Sequence, residues 1–240
     1  MPRALLSPLF AAALLLTAMR CAGPAADAPA ENAPGDDVSA AVSTVLPSGP
    51  VGASVVPADP DTALFAAGCF WCAETAFEGR DGVLAVVSGF AGGTVPAPTY
   101  DEVTRGGTGH YESVLVVYDP DVISYERLLD IFWRNVDPFQ ADGQFCDVGP
   151  SYRAAIFPLD AAQRRLAEAS KAAVQARFGE AAVTEILPAT PFYPAEDYHQ
   201  DFWRKDPDRY YSYRAGCGRD ARLEAIWGDE AGADPAIATH

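Results

Sequence analysis

Basic residues are scarce in this chain. Its 240 residues include 17 Lys and Arg against 33 Asp and Glu, so the formal net charge at pH 7 is −16. Nucleic acids and anionic membrane surfaces attract proteins that carry basic patches. The charge therefore argues against both kinds of partner, and we expect this protein to bind no nucleic acid.

The apolar segment at the N-terminus is too short to span a membrane. It covers residues 5–18, follows Arg3 and is followed by Cys21. A basic start and an apolar run of this length are typical of a secretory signal. We predict residues 1–21 to be a secretory signal or lipoprotein-type leader, and the protein to be exported to the periplasm or cell envelope. Cys21 is a candidate lipid anchor, although Arg20 stands where lipoprotein processing requires a small residue.

Hydrophobic periodicity is missing from residues 22–60, which are rich in Ala, Pro, Asp, Ser and Gly. Such a segment buries too little apolar surface to offset the entropy lost on ordering. We therefore predict a disordered tether at 22–60, a folded domain at 61–228 and a tail at 229–240.

Cysteine is also sparse, with five in the whole chain. The four in the predicted domain are Cys69, Cys72, Cys146 and Cys217. In an exported protein they indicate structural disulfides. A domain of this size has core enough without disulfides, however, so a redox role for some of these cysteines is at least as well supported.

The predicted elements of the domain follow the order β-α-β-β-α-β-α-β. Patterning and turn signals place strands at 62–67, 83–88, 111–118, 152–157 and 183–187, and helices at 70–78, 124–135, 160–178 and 196–205. This order predicts an α+β protein of ferredoxin-like (split βαβ) type, with helices on a mixed sheet in two layers. We predict long loops at 89–109 and 136–150, and an irregular C-terminal extension.

Cys69 stands at the predicted junction of the first strand and first helix. Unpaired amides and the positive end of the helix dipole at such a junction favour the reactive thiolate. Phe70 and Trp71 follow at once and would wall a small apolar pocket beside the sulfur. The alternative is a buried structural cysteine, which the preceding Gly68 and the two aromatic residues disfavour.

Four polar residues are candidates to act beside Cys69. Glu112 precedes an apolar strand, and a buried carboxyl group keeps its proton and can serve as a general acid. The alternative for Glu112 is a solvated charge at a strand edge. Tyr100, Tyr152 and Asp147 lie in or beside the two long loops, where tyrosines also pack at the surface and aspartate also serves as a turn residue.

Together these residues resemble the peptide methionine sulfoxide reductases of the A type. The matching segments are 68–71, 88–93, 98–100, 108–112, 118–120, Asn135 with 137–138, 143–147 with Gly149, 152–153, 184–186 and 195–200. They cover about residues 63–228. Their number and order make the resemblance specific.

The resemblance implies an enzyme that reduces the S epimer of methionine sulfoxide, in proteins or as the free amino acid, with no metal or cofactor. It places the nucleophile on Cys69 and the pocket for the substrate methyl group on Phe70 and Trp71. Attack by the thiolate would release methionine and leave Cys69 as a sulfenic acid.

The resemblance also assigns the groups that stabilise the substrate oxygen. Glu112 falls on the position of the proton donor. Tyr100 and Tyr152 would hydrogen-bond the sulfoxide oxygen, and Asp147 occupies another polar position of the site.

Recycling requires a second cysteine. We predict a Cys69–Cys217 disulfide, because Cys217 lies between glycines in a segment that could move, and a thioredoxin-like partner that reduces it. Many family members have Gly where this chain has Cys72, and Cys146 is an additional thiol. Either could resolve Cys69 instead, or the two could pair with each other. We expect a monomer.

Two other functions use the same cysteines. A thiol–disulfide oxidoreductase of thioredoxin type would need only Cys69 and Cys72. A zinc module would combine them with His110 and either Cys146 or His199. The chain lacks the cis-proline region and strand order expected of a thioredoxin, and one Cys-x-x-Cys pair without a second at suitable spacing is a weak signal for zinc.

Overall fold

The computed structural model describes residues 60–232. The predicted leader and the tether up to residue 59 lie outside the described residues, as does the predicted tail from residue 233 onward. The strands are β1 (Asp61–Ala67), β2 (Val83–Ala91), β3 (Tyr111–Tyr118), β4 (Gly143–Gln144), β5 (Asp147–Val148), β6 (Ala154–Phe157), β7 (Glu185–Ile186) and β8 (Tyr193–Pro194). The helices are α1 (Phe70–Phe77), α2 (Tyr100–Arg105), α3 (Tyr125–Arg134), α4 (Ala161–Phe178), α5 (Phe202–Lys205), α6 (Pro207–Gly216) and α7 (Arg219–Trp227), with short 3-10 turns at Pro150–Tyr152 and Gly228–Glu230.

Six of the strands form one mixed sheet in the order β7-β6-β1-β3-β2-β8, and β4 and β5 form a separate hairpin. Strand β1 pairs antiparallel with both β3 and β6, and β3 pairs antiparallel with β2. The β6–β7 pair is parallel. The predicted α+β class, with helices packed on a mixed sheet, is confirmed.

Strand β1 is buried on both faces, which explains its continuous apolar sequence. Successive side chains point to opposite faces of a strand. Phe65 faces the helices and stacks on Phe77 of α1 and Phe132 of α3, with ring centroids 5.2 and 5.3 Å apart. Leu64 belongs to the smaller cluster on the other face, with Phe157. Because β1 runs through the middle of the sheet, the chain enters α1 from inside the core.

Helix α2 lies within the segment 89–109 that we predicted to be a loop. Thr99 and Glu102 form a capping box: the Glu102 carboxylate accepts from the Thr99 backbone N–H at 2.9 Å, and the Thr99 hydroxyl accepts from the Glu102 N–H. The Thr-x-x-Glu pattern is the sequence signal that indicates the start of this helix. Two turns of helix among glycines and prolines are too short for a periodic pattern to show.

The prediction of an irregular C-terminal extension is wrong, because α6 and α7 occupy most of it. Helix α6 begins after Asp206, whose side chain accepts from the Arg209 N–H, and has Pro207 in its first turn. Within the predicted helix at 196–205, only the residues of α5 are helical. Within the predicted strand at 183–187, only the two residues of β7 form a strand.

The folded domain continues beyond the predicted boundary at Gly228. Glu230 forms ion pairs with Arg134 of α3 and Arg177 of α4, both at 2.8 Å. The N–H of Gly232 donates to the carbonyl oxygen of Arg134. These contacts fasten the first residues of the predicted tail to the domain.

Within residues 60–232, no helix has the length and apolarity that crossing a membrane requires.

Candidate active site

Cys69 lies at the junction of β1 and α1, as predicted. Gly68 before it has φ +80°, and a Cβ there would lie 2.5 Å from the Cβ of Gln144, so this turn requires glycine. The carbonyl oxygen of Cys69 accepts from the N–H groups of Cys72 and Ala73, both at 3.1 Å. Cys69 is therefore the N-cap residue of α1. It is 6% exposed, so its sulfur is buried at the amino end of the helix.

One pocket contains the sulfur of Cys69 and nearly all of the predicted site. Every predicted site residue except Cys217 lines it. Tyr213 of α6, which the sequence analysis missed, also contributes to its wall. The lining residues are Cys69, Phe70, Trp71, Tyr100, Glu112, Asp147, Tyr152 and Tyr213.

Glu112 of β3 reaches the pocket from beneath α1. Its Oε2 accepts from the backbone N–H of Phe70 at 2.9 Å, and the residue is 1% exposed. Burial raises the pKa of this carboxyl group to about 8, against the lowering effect of the Phe70 hydrogen bond. Glu112 therefore carries a proton at neutral pH, which is the state that a general acid requires.

Tyr100 and Tyr152 present two phenols to the same pocket. Tyr100 begins α2, and Tyr152 ends the 3-10 turn that precedes β6 rather than beginning the strand. Burial, followed by the nearby Glu112 carboxyl, raises the pKa of Tyr100 to about 12 and raises that of Tyr152 as well. Both hydroxyls remain protonated donors throughout the physiological pH range.

Trp71 is held from two sides. Its indole N–H donates to His199 Nδ1 at 3.1 Å, and its ring stacks on Phe202 of α5 with centroids 3.8 Å apart. Burial lowers the pKa of His199 to about 4, so the imidazole stays neutral and can accept this bond. In the sequence, His199 falls in the matching segment 195–200 and is considered only as an alternative zinc ligand or a structural residue. Its contact with Trp71 gives it a role as a support for the apolar wall.

Asp147 and Tyr213 form the opposite wall of the pocket. The Tyr213 hydroxyl donates to Asp147 Oδ2 and lines the same pocket as Cys69. Burial raises the pKa of Asp147, although the Tyr213 bond and the charge of Arg219 oppose the rise. Burial, and then the nearby Cys69 and Cys72, raise the pKa of Tyr213, so its hydroxyl keeps its proton.

Cys69 and Cys72 influence each other's ionisation. The neighbouring Cys69, assisted by the buried guanidinium groups of Arg219 and Arg214, lowers the pKa of Cys72 to about 6 despite its burial. Burial, and then the adjacent Cys72, raise the pKa of the Cys69 thiol. We expected the resting thiolate on Cys69. The structure instead favours the negative charge on Cys72, with the proton on Cys69.

Cys217 does not approach Cys69. It forms a disulfide with Cys146, with Cα atoms 5.0 Å apart, while Cys69 and Cys72 are free. This differs from the Cys69–Cys217 pair that we predicted. Cys217 lies in the turn between two helices rather than in a loose segment, and it faces the β4–β5 hairpin that carries Cys146.

The zinc hypothesis does not match the geometry. His110 bonds only to backbone: its Nδ1 accepts from the Gly93 N–H at 3.2 Å, and its Nε2 lies 2.7 Å from the carbonyl oxygen of Val95. Among residues 60–232, the side chains close enough to share an ion are Cys146, Asp147 and Cys217, and their two sulfurs are bonded to each other.

A buried cysteine that lines one pocket with a neutral carboxylic acid and three phenols, and has a second thiol beside it, is the arrangement expected of a thiol-dependent oxidoreductase. The chain belongs to the peptide methionine sulfoxide reductase family, whose model matches residues 61–231. The resemblance drawn from the sequence motifs is thereby confirmed.

Individual relatives agree with this assignment. The chain is 48% identical over 170 residues to peptide methionine sulfoxide reductase MsrA of Bacillus licheniformis, covering 70% of this chain and 94% of that protein. It is 50% identical over 169 residues to MsrA 2 of Caulobacter vibrioides, covering 70% and 86%.

Two solved structures share the fold. Methionine sulfoxide reductase A of Corynebacterium diphtheriae matches with a TM-score of 0.57 and 35% identity, over 65% of this chain and 79% of that one. Mxr1 from Saccharomyces cerevisiae in reduced form matches with a TM-score of 0.60 and 31% identity, over 64% and 90%.

Proposed function

We propose that this protein is a peptide-methionine (S)-S-oxide reductase that uses Cys69 as its nucleophile. The observation that carries the proposal is the pocket itself, where an apolar wall, a thiol and a protonated carboxyl group meet. Family membership supports the substrate class. In this arrangement Phe70 and Trp71 receive the methyl group attached to the oxidised sulfur, and the substrate oxygen lies towards Glu112.

The reaction needs a proton at oxygen and a thiolate at sulfur. The sulfur of Cys69 attacks the sulfoxide while Glu112 protonates its oxygen, and Tyr100 and Tyr152 donate hydrogen bonds to the oxygen as charge develops there. The substrate S–O bond breaks and an S–O bond to Cys69 forms. Methionine leaves, and Cys69 is oxidised to a sulfenic acid.

Epimer selectivity tests this function directly. We expect purified protein with dithiothreitol to convert the S epimer of a methionine sulfoxide peptide to methionine and to leave the R epimer unchanged. The methyl pocket and Glu112 fix the positions of the substrate methyl group and oxygen, so only one epimer presents its sulfur correctly to Cys69. Chromatographic separation of the two epimers measures this. Equal consumption of both epimers, or of neither, contradicts the proposal.

Cys72 is the residue that the structure favours for resolving the sulfenic acid. Its pKa is lowered to about 6, first by the neighbouring Cys69, so it is anionic near neutral pH, and the thiolate is the attacking form of cysteine. Cys69 is the N-cap residue, outside the regular helix, which relieves the geometric objection to a disulfide inside a helix. Cys217 is already bonded to Cys146.

A peptide map tests this assignment. After one turnover without reductant, we expect a new Cys69–Cys72 disulfide and an unchanged Cys146–Cys217 disulfide. In Cys72→Ser protein, the sulfenic acid should persist and react with dimedone. A Cys69 disulfide to Cys146 or Cys217 in the wild type would contradict the assignment and restore our first prediction or its alternative.

We further propose that a thioredoxin-like dithiol protein reduces the Cys69–Cys72 bond, since thiol–disulfide exchange restores both sulfurs without a bound cofactor. Export to the periplasm or cell envelope, anchoring at Cys21 and a monomeric state stay predictions from the sequence.

A further inference from the structure

Arg209 of α6 lies against the apolar wall of the pocket. The carbon at the centre of its guanidinium group is 5.9 Å from the ring centroid of Trp71 and 5.5 Å from that of Phe202. Trp71 lines the pocket and stacks on Phe202. The backbone of Arg209 is fixed in the first turn of α6, where its N–H donates to Asp206 Oδ1 at 3.3 Å. A positive charge is therefore held beside the ring that receives the substrate methyl group.

The guanidinium group of Arg209 has no polar partner among residues 60–232. Arg209 is exposed, and within this range its side chain forms neither an ion pair nor a hydrogen bond. Other arginines nearby are paired: Arg204 with Glu78 at 2.7 Å, and Arg214 with Asp220 at 2.6 Å. Contact with the face of an aromatic ring leaves the N–H groups at the edge of a guanidinium group free to bind a carboxylate.

The pocket is too small to take more than the side chain of a substrate. It encloses about 270 Å³, part of which is open to solvent, whereas sites that enclose a whole small molecule have roughly 300–1,000 Å³. Three single bonds of about 1.5 Å each separate the sulfur of methionine from its Cα. The groups attached to Cα, and the residues that follow in a peptide, therefore stay on the solvent side of the wall. The exposed guanidinium group beside Trp71 is a cation available to them there.

We propose that Arg209 is a specificity-determining residue that binds a carboxylate group of the substrate. The proposal rests on the reductase function above and adds a preference within that substrate class. The carboxylate has two sources. One is the α-carboxylate of free or C-terminal methionine sulfoxide, and the other is an acidic side chain that follows methionine sulfoxide in a peptide. Either accepts two parallel hydrogen bonds from the edge of a guanidinium group.

The other charges of the protein make this cation effective. The net charge of −16 repels a substrate that carries a carboxylate, and Cys72 adds a negative charge close to the pocket. An unpaired cation beside the pocket wall offsets this repulsion, most strongly at low ionic strength, where screening is weak. A substrate without a carboxylate gains nothing from Arg209. The contribution of Arg209 should therefore depend on the substrate.

Arg209→Gln tests the proposal, with Arg165→Gln as the matched control. Arg165 lies on α4, is also exposed and does not line the pocket, and its loss changes the net charge by the same amount. Two pairs of S-epimer substrates differ in one carboxylate. The first pair is N-acetylmethionine sulfoxide and its methylamide, and the second is the acetylated dipeptide amides of methionine sulfoxide followed by Asp or by Asn. We measure kcat/KM for all four with dithiothreitol at low ionic strength.

We expect Arg209→Gln to lower kcat/KM about 3- to 10-fold for the carboxylate member of at least one pair, through KM, and to leave the neutral member unchanged. This is the size of a charge-assisted hydrogen bond at an exposed site. The pair that responds identifies the source of the carboxylate. Arg209→Lys should keep part of the preference, because it retains the charge without the planar fork of donors. Arg165→Gln should change neither pair, and added salt should weaken the wild-type preference.

Three results would overturn the proposal. Equal losses for both members of each pair would show that Arg209 only supports the Trp71 ring. Unchanged values for all four substrates would show that Arg209 binds none of them, and an equal effect of Arg165→Gln would assign the preference to net charge. Turnover of the neutral methylamide reports on folding and on the reductase function independently of Arg209. A wild-type protein that reduces none of the four substrates would refute the proposed function, and this inference with it.

Discussion

Cys69→Ser is expected to abolish conversion of methionine sulfoxide to methionine, both in a single turnover and in steady state. The pocket brings no other thiol to the substrate, because Cys72 is 1% exposed and does not line the pocket. A serine hydroxyl is a weak nucleophile unless an adjacent base activates it. Chromatographic measurement of methionine with dithiothreitol present, and again without reductant, checks both conditions.

Cys72→Ser is the matched control for this variant. It removes a thiol from the same helix, but it leaves the nucleophile in place. We expect it to form up to one methionine per protein molecule when no reductant is present, whereas Cys69→Ser forms none. If Cys69→Ser retains a full single turnover, then another residue attacks the substrate and the mechanism above is wrong.

The part of the site that local signals predict depends on residues within a single strand or strand–helix junction. Gly68 and Cys69 indicate the strand–helix junction. Only glycine can adopt the backbone conformation of this turn without a clash between its Cβ and Gln144. Glu112 opens a continuous apolar strand, and its burial follows from that position. Each of these predictions needs only the local chain and the general rule that strand residues alternate between two faces.

The remaining part depends on contacts between distant segments. Tyr213 meets Asp147 across 66 positions, and Cys217 meets Cys146 across 71. Nothing in the sequence around Tyr213 indicates which side of α6 faces the pocket, since tyrosines and charged residues are mixed along the helix. The family resemblance supplied positions for the nucleophile and the acid, but the pairing of cysteines changes with the extra thiols of this chain.

The ionisation of Cys69 and Cys72 depends on contacts that a local argument does not include. The amino end of α1 favours negative charge on either cysteine. Burial raises the pKa of Cys69, whereas the neighbouring Cys69, and then the buried Arg219 of α7 and Arg214 of α6, lower the pKa of Cys72. Both arginines belong to the extension that we predicted to be irregular. The sequence signals at the β1–α1 junction therefore leave out two of the charges that act on Cys72.

Glu112→Gln is expected to slow methionine formation in a single turnover about 100-fold or more, the effect of losing a general acid. Glutamine can still accept the hydrogen bond from the Phe70 N–H, so the pocket should keep its shape. It cannot release a proton to the sulfoxide oxygen. Rapid-quench measurement of methionine at several pH values gives the rate and its pH dependence together.

The pH dependence has a definite sign. Burial raises the pKa of Glu112 to about 8, so the carboxyl group is protonated and competent below that pH. The wild-type rate should therefore fall as the pH rises through about 8, and Glu112→Gln should lose this descending limb. Protonation of the acid is the only change that Glu112 contributes over this range.

Glu74 provides the control for this interpretation. It is also 1% exposed, and burial raises the pKa of its carboxyl group to about 8. Its Oε1 accepts from the N–H of Asp201, however, and it does not line the pocket. Glu74→Gln should keep the descending limb, even if the variant is less stable. If instead Glu74→Gln removes the descending limb, then Glu74 is the group that loses its proton near pH 8. It would act through the packing of α1 against α5, and the sulfoxide oxygen would receive its proton from a group other than Glu112.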